Sequence, residues 1–385
     1  MDTRRQLETL DSTTLIPIIQ RAIGSATIEL GEWSFQQIQG GGGEGLGIYR
    51  CLGQAMDRGA PIQWSLILKV LGRQEQGAEV SAWNYWKREA DAYQSGFLND
   101  LPAEVKSPRC FGIVEQSDGV IWLWLEDIAE DRDASWSLAD YQRVAHQFGL
   151  LNGLYLSGQP VPDYPWLSRN WLRGWVEENA LGVTQLSQSL ENRWVKRVWP
   201  RPVAEALLRT WAERDLYLRT LERLPQTLCH LDVFKRNLLA RSRPDGSRQT
   251  VALDWAFVGV GAVGEELAPL TIANVSFFEV GILAGQQLEE QVLTGYVEGL
   301  RDGGWQGDLR LARLGYASAA ALRYGVGIMR GFMWALLDES SHPFWEQFFG
   351  RPMYELCECW AITTSRFTLR LADEARELMD QLGYG

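Results

Sequence analysis

At 385 residues the chain exceeds the roughly 250–300 at which single hydrophobic cores stop growing, so two lobes or domains are expected. Hydrophobic residues make up 46% and charged residues 22%, the balance of a soluble globular protein with ample core material. The formal net charge of −12 argues against a nucleic-acid partner, which calls for a basic surface, and is compatible with a cationic substrate.

The first 30 residues read as one or two helices, broken near Pro17 and Gly24. They lack a continuous apolar run and a small-residue cleavage site, so no signal peptide is expected. No stretch approaches the ~18–20 apolar residues of a membrane span, which makes a cytoplasmic protein without membrane contact the expectation. Three strand-like stretches follow, at about 33–39, 47–52 and 61–71, with a glycine run between the first two (Gly40 to Gly43, Gly45, Gly47). Residues 79–98 read as a helix. Two more strands are expected near 110–115 and 120–126, joined by a turn at Ser117-Asp118-Gly119. From about Ser137 helical periodicity dominates, with examples at 139–157, 203–223, 287–301 and 308–337, interrupted by a short hairpin at about 237–255. The chain is therefore strand-rich first and helix-rich second, with the join after Glu126. This gives an α+β reading with an N-terminal lobe over 1–126 and a helical C-terminal lobe over 127–385.

Five scattered cysteines show no disulfide framework. Cys357 and Cys359 have no second pair or histidine cluster to complete a zinc site. The eighteen tryptophans read as large core side chains, against the alternative of an aromatic cage for a quaternary ammonium.

The strongest signal for chemistry is His230-Leu231-Asp232-Val233-Phe234-Lys235-Arg236-Asn237. It is followed by an apolar run, a Pro244-Asp245-Gly246 turn, and Val251-Ala252-Leu253-Asp254-Trp255. Asn237 lies eight residues before Asp245 and Asp254 nine after it, so a hairpin would bring the amide and the carboxylate to its open end, with Asp232 nearby. Such an oxygen-rich set suits Mg²⁺ that keeps waters and phosphate oxygens as its other ligands. Phosphoryl transfer needs this layout: a metal on the phosphates, and a separate carboxylate for the proton of the attacking hydroxyl.

Two upstream residues support the same chemistry. Lys69 is the only charge in the run 64–71, and strand alternation puts it on one face with Ser65, Ile67 and Leu71. In the helix that follows, Glu89 lies three after Trp86 and four before Tyr93, on the apolar side with Ala90. A lysine and a carboxylate both facing a core need one another. That pairing would hold the lysine for the α- and β-phosphates of a nucleotide. Gly40, Gly42 and Gly45 fit G-x-G-x-x-G between two strands, where backbone N–H groups could cover phosphates or simply make a flexible hairpin turn. Leu125-Glu126-Asp127 ends the last strand, where a hinge would hold a base through backbone groups.

Together these residues resemble the aminoglycoside phosphotransferase and choline kinase-like family, over about residues 30–340. The resemblance implies a bilobal protein-kinase-like fold: a small antiparallel sheet lobe with one key helix, then a larger, mostly helical lobe. It implies Lys69, held by Glu89, on the triphosphate of ATP or GTP; Asp232 as catalytic base; Asn237 and Asp254 on Mg²⁺; and His230 as a scaffold residue. Glycines 40, 42 and 45 and Glu126 complete the nucleotide site. The family often carries a histidine two residues after the catalytic aspartate, then Pro-Gly, where this chain has Phe234, Lys235 and Arg236. Glu265-Glu266 stand where many members have an aspartate before Leu-Ala.

Leu231 replaces the arginine of the protein-kinase H-R-D, and no A-P-E follows Asp254, so a small-molecule acceptor is expected rather than a protein. The expected acceptor is a hydroxyl on an amino sugar, amino alcohol or sugar, and the acidic balance mildly favours a cationic one. Asp338 and Glu339, at a helix end, are read as solvated rather than as part of its site. The alternative to an enzyme is a catalytically silent nucleotide-binding module, which loss of Asp232, Asn237 or Asp254 would favour; all three are present.

Overall fold

The computed structural model describes residues 3–38, 47–73, 77–129 and 135–385. Its strands are β1 (Ile28–Gln37), β2 (Gly47–Asp57), β3 (Ala60–Leu71), β4 (Val105–Lys106), β5 (Cys110–Glu115), β6 (Ile121–Glu126), β7 (Gln226–Cys229), β8 (Leu238–Ser242), β9 (Arg248–Ala252) and β10 (Gly259–Ala262). The residues group into two compact units. One holds the described parts of 1–80, 85–132 and 239–256, and the other those of 81–84, 133–238 and 257–385. The hairpin that the sequence reading counted with the helical lobe therefore packs with the sheet. Among the described residues no helix is long and apolar enough to cross a membrane.

In the first unit a five-stranded antiparallel sheet has the order β1-β2-β3-β6-β5. Period-two alternation gives it two apolar faces. Trp64, Leu66, Leu68 and Val70 of β3 join Trp122 and Trp124 of β6 on one face, which Leu15, Ile18 and Ile19 of helix α2 cover. Ile67 joins Ile121, Leu123 and Leu125 on the other, covered by Trp86 and by Ala90 and Tyr93 of helix α3. Each large side chain buried this way contributes roughly 1.5–3 kcal/mol. Helix α1 is Thr3–Glu8, α2 is Ser12–Ile23 and α3 is Arg88–Gln94. α2 runs through Pro17 instead of breaking there. Burial of its apolar stripe outweighs the one missing N–H, and the helix ends at Gly24 with φ 79°. α3 is much shorter than the expected 79–98, because residues 77–87 form turns and Gly96 takes φ 78°. β9 lies between β8 and β4 in a separate three-stranded sheet.

The second unit is mainly helical. Helix α4 (Leu138–Leu156) starts at a capping box between Ser137 and Asp140. It packs against the helix Gly285–Asp302 through glycines. A Cβ at Gly299 would sit 2.0 Å from the His146 carbonyl oxygen, and one at Gly149 2.3 Å from that of Tyr296, so only glycine permits this approach. The expected helix over 203–223 is two, Arg201–Ala212 and Arg214–Arg223, parted at Glu213, whose carboxylate Arg376 holds at 2.7 Å. The expected helix over 308–337 is Leu309–Ala320, a π-helical stretch Ala321–Val326, and Met329–Leu337.

Candidate active site

In the first unit, β3 presents Lys69 from the face covered by α3, and α3 presents Glu89. The pair expected from the two apolar stripes is present, with Lys69 Nζ 2.6 Å from Glu89. The same ammonium is 2.9 Å from Asp254 Oδ1, an arrangement the sequence reading did not foresee. Only 2% of the Glu89 side chain and 16% of that of Lys69 is exposed. Burial alone would lower the Lys69 pKa, but the carboxylates of Asp254 and Glu89 outweigh it and hold the ammonium above its ordinary range. Asp254 adopts a left-handed backbone with φ 58°, uncommon for a non-glycine residue, which re-aims the chain just after β9. Glu89 also accepts the Trp255 N–H at 3.4 Å. Next to it, the buried Arg88 donates to the Ala256 carbonyl at 2.8 Å, and burial pushes its pKa down to about 10.

Glu126 closes β6. Its backbone N–H goes to the Arg109 carbonyl, and its carboxylate meets Arg109 at 3.2 Å and Arg241 at 2.7 Å. The side chain is thus occupied within its own unit. Gly40, Gly42 and Gly45 lie outside the described residues.

In the second unit, β7 and β10 pair antiparallel, and the 230–237 loop leaves the end of β7. His230 is fully buried, and its Nδ1 accepts the Asp232 N–H at 3.2 Å. Leu231 takes φ 67°, turning the chain so that Asp232 projects. Both carboxylate oxygens of Asp232 are engaged. Asn237 Nδ2 donates to Oδ2 at 2.7 Å, and Arg323 Nη2 lies 2.6 Å from Oδ1. Arg323 also donates to the Leu231 carbonyl, which makes a two-point clamp. Its guanidinium lies 4.5 Å from the centre of the Trp171 ring, on helix α5 (Trp171–Glu178).

The loop backbone is anchored from below. Buried Glu266 accepts the N–H groups of His230 and Leu231, the latter at 3.2 Å, and an Asn152 amide N–H at 3.1 Å. Asn152 in turn donates to the Leu228 carbonyl at 2.8 Å and accepts the Tyr296 hydroxyl at 2.7 Å. Glu265 accepts the Ala262 N–H at 2.9 Å. Burial pushes both carboxyls up to about 7.

Among the described residues no three carboxylate, histidine or cysteine side chains cluster as a metal cage. Each unit offers one donor of the expected pair, the Asp254 carboxylate in the first and the Asn237 amide in the second. Asn237 spends its N–H₂ on Asp232, which leaves its carbonyl oxygen to coordinate. This set fits a cation that takes most of its ligands from water and nucleotide phosphates.

Sequence reasoning missed Arg323 and the reach of Glu266. Arg323 is 91 residues from Asp232 and inside a π-helical stretch, so no local pattern marks it. Glu266 carried a signal, an acidic residue before Leu-Ala, that was read as structural.

The α+β arrangement is that of the kinase-like phosphotransferases. The model of the phosphotransferase enzyme family (APH) matches residues 97–305, more than half of the chain, and the chain belongs to that family. Among solved structures it is similar to amicoumacin kinase hAmiN in complex with AMP-PNP, Ca²⁺ and Ami. The TM-score is 0.54 at 12% identity, covering 96% of this chain and 97% of that one. A choline kinase from Cryptosporidium parvum Iowa II gives 0.49 at 12% identity, covering 97% and 98%. An aminoglycoside phosphotransferase from Alicyclobacillus acidocaldarius gives 0.48 at 12% identity, covering 85% and 90%. At such identities the likeness concerns the fold alone, and the first of the three carries it. No curated protein matches the sequence.

Proposed function

We propose that the chain is a small-molecule kinase that transfers the γ-phosphate of ATP or GTP to a hydroxyl of a small acceptor. The observation that carries this reading is Asp232, a partly exposed carboxylate clamped on both oxygens by Arg323 and Asn237, on a loop pinned by Glu266. A structural aspartate would not require a left-handed Leu231 and three separate anchors to aim it.

Lys69, steadied by Glu89, would meet the α- and β-phosphates. Asn237 and Asp254 would hold Mg²⁺, whose charge offsets that of the phosphate oxygens. A bound nucleotide would share the Lys69 ammonium with Glu89, which would leave the Asp254 carboxylate to hold the metal. In the transfer, the acceptor oxygen forms a bond to the γ-phosphorus and the bond to the β–γ bridging oxygen breaks. The hydroxyl proton passes to Asp232, and the nucleoside diphosphate leaves. Arg323 fixes the orientation of Asp232, so its part is positioning. The unit that carries the five-stranded sheet and residues 239–256 is read as the nucleotide lobe, the helical unit as the acceptor lobe, and the cytoplasm as the place of action.

Titration calorimetry with ATP and GTP, with and without Mg²⁺, tests the nucleotide half. Expected is Mg²⁺-dependent binding of at least one nucleotide, weakened in Lys69→Met and in Asp254→Asn. Equal heats in the wild type and both variants would overturn the assignment.

A further inference from the structure

Among the described residues three lysine or arginine side chains are buried, and two of them have an acceptor. Arg88 donates to the Ala256 carbonyl, and Arg323 clamps Asp232. Lys235, on the loop of the proposed base, is only 7% exposed, and its ammonium meets neither a carboxylate nor a carbonyl among the described residues. What it faces is a ring, with Nζ 4.7 Å from the centre of Trp136. A cation taken out of water calls for an anion or for hydrogen-bond acceptors, and one ring face offsets only part of that cost.

Two more donors without acceptors stand beside it. Trp136 is half-buried, and its indole N–H has no acceptor among the described residues. The Tyr141 ring meets that of Trp136 edge-on at 5.3 Å. Tyr141 is buried, and its hydroxyl has no partner among the described residues either. The carboxylates whose charge reaches Tyr141 are already held. Glu279 pairs with Arg236 at 2.9 Å, and Asp140 with Arg143 at 2.9 Å. All of these residues belong to the helical unit. The cluster is left with one uncompensated positive charge and with donors that have nothing to donate to, which is the complement of an oxyanion.

Its place is set by the chain. Lys235 lies three residues from Asp232, so their Cα atoms are at most about 11 Å apart. The loop draws them in, through the Phe234 N–H on the Asp232 carbonyl at 3.1 Å and the Asn237 amide on Asp232 Oδ2 at 2.7 Å. Lys235–Asn237 form one 3₁₀ turn, in which residues two apart leave on different sides. Asn237 turns back onto Asp232, while Lys235 leaves toward Trp136, just ahead of helix α4. The cluster therefore stands to one side of the base rather than with Asn237.

We infer that Lys235, Trp136 and Tyr141 form an oxyanion site beside Asp232 that takes a phosphate or carboxylate group of a reactant. The site goes beyond the kinase reading, and only its part in the reaction rests on that reading. The direction of Lys235 favours the acceptor as the source. A hydroxyl at Asp232 and an anionic group at Lys235 are then two points on one small molecule, which can carry an amino group as well. A phosphate of the nucleotide is the other source, and the experiment separates the two.

The test is ¹⁹F NMR on the full chain labelled with 5-fluorotryptophan, with Trp136→Phe identifying the Trp136 resonance. Inorganic phosphate is titrated against chloride at matched ionic strength. The expected result is a saturable shift of that resonance, with the affinity lowered at least about tenfold in Lys235→Met and largely kept in Lys235→Arg. Methionine keeps the stem against the ring, so the loss reports the charge. The titration is repeated with saturating AMP-PNP and Mg²⁺. A phosphate response that persists assigns the site to the acceptor, and a shift that AMP-PNP alone reproduces in a Lys235-dependent way assigns it to the nucleotide. No saturable shift, or the same shift in Lys235→Met, overturns the inference. Calorimetry of AMP-PNP on the same sample is read in parallel; absent binding there would remove the kinase reading and leave the phosphate result to decide the site.

Discussion

The two charged clusters are built on opposite principles. Lys69 and Glu89 project from a regular strand and a regular helix, and their pairing follows from two apolar stripes meeting. Asp232 projects from an irregular loop with a left-handed residue, and its clamp comes from a π-helical arginine far along the chain. The first cluster is a buried ion pair that, on the kinase reading proposed above, a nucleotide would reorganise. The second is a rigid mount for one carboxylate. Binding tolerates rearrangement, whereas transfer of a proton and a phosphoryl group requires fixed geometry.

If that contrast is right, the largest effect comes from the mount's own carboxylate. Asp232→Asn should lower kcat by ~10²–10⁴-fold while leaving nucleotide affinity near the wild-type value, as steady-state kinetics and calorimetry would show. Next comes the clamp. Arg323→Met should lower kcat by about 10²-fold with the nucleotide KM unchanged, and Arg323→Lys should recover part of the loss because the charge returns without the two-point geometry. A fall in Tm without the kcat-only pattern would reduce Arg323 to a packing residue.

The first cluster should respond in affinity and stability. Lys69→Met leaves two carboxylates facing each other with no cation, and should cost about 3 kcal/mol in denaturant unfolding as well as raising the nucleotide KM. The double variant Lys69→Met/Glu89→Gln should regain much of the stability and none of the affinity. Additive losses in stability would contradict the pairing.

The smallest effect is on pH dependence. Glu265 and Glu266 have pKa values raised by burial to about 7 in the folded state, so the folded chain holds more protons than the unfolded one between the ordinary glutamate range and pH 7. Their contribution to stability is fully present below that window and is lost as the pH rises through about 7. Thermal unfolding from pH 5 to 8 should show Tm falling, and Glu265→Gln should flatten the slope. A Tm that rises across that range would reverse the sign.

Much of this could be read from residues alone. Alternation across 64–71 located β3 and the face of Lys69, and the Pro-Asp-Gly signal located the hairpin of β8 and β9. Helix lengths were less legible. Tertiary burial carried α2 through Pro17, and turns shortened α3, both decided by packing rather than by local propensity. In the site, Arg323 was invisible because its partner is distant in sequence and its backbone is irregular. The tryptophan count does not separate Trp122 in the core from Trp334 at the surface.

The most direct test of the central claim is acceptor-dependent release of nucleoside diphosphate by the full chain with Mg²⁺ and ATP or GTP, with Asp232→Asn measured alongside. The account predicts release stimulated by a hydroxyl-bearing small molecule and lost by at least about 10²-fold in the variant. Stimulated release that persists within a few-fold in Asp232→Asn would contradict it.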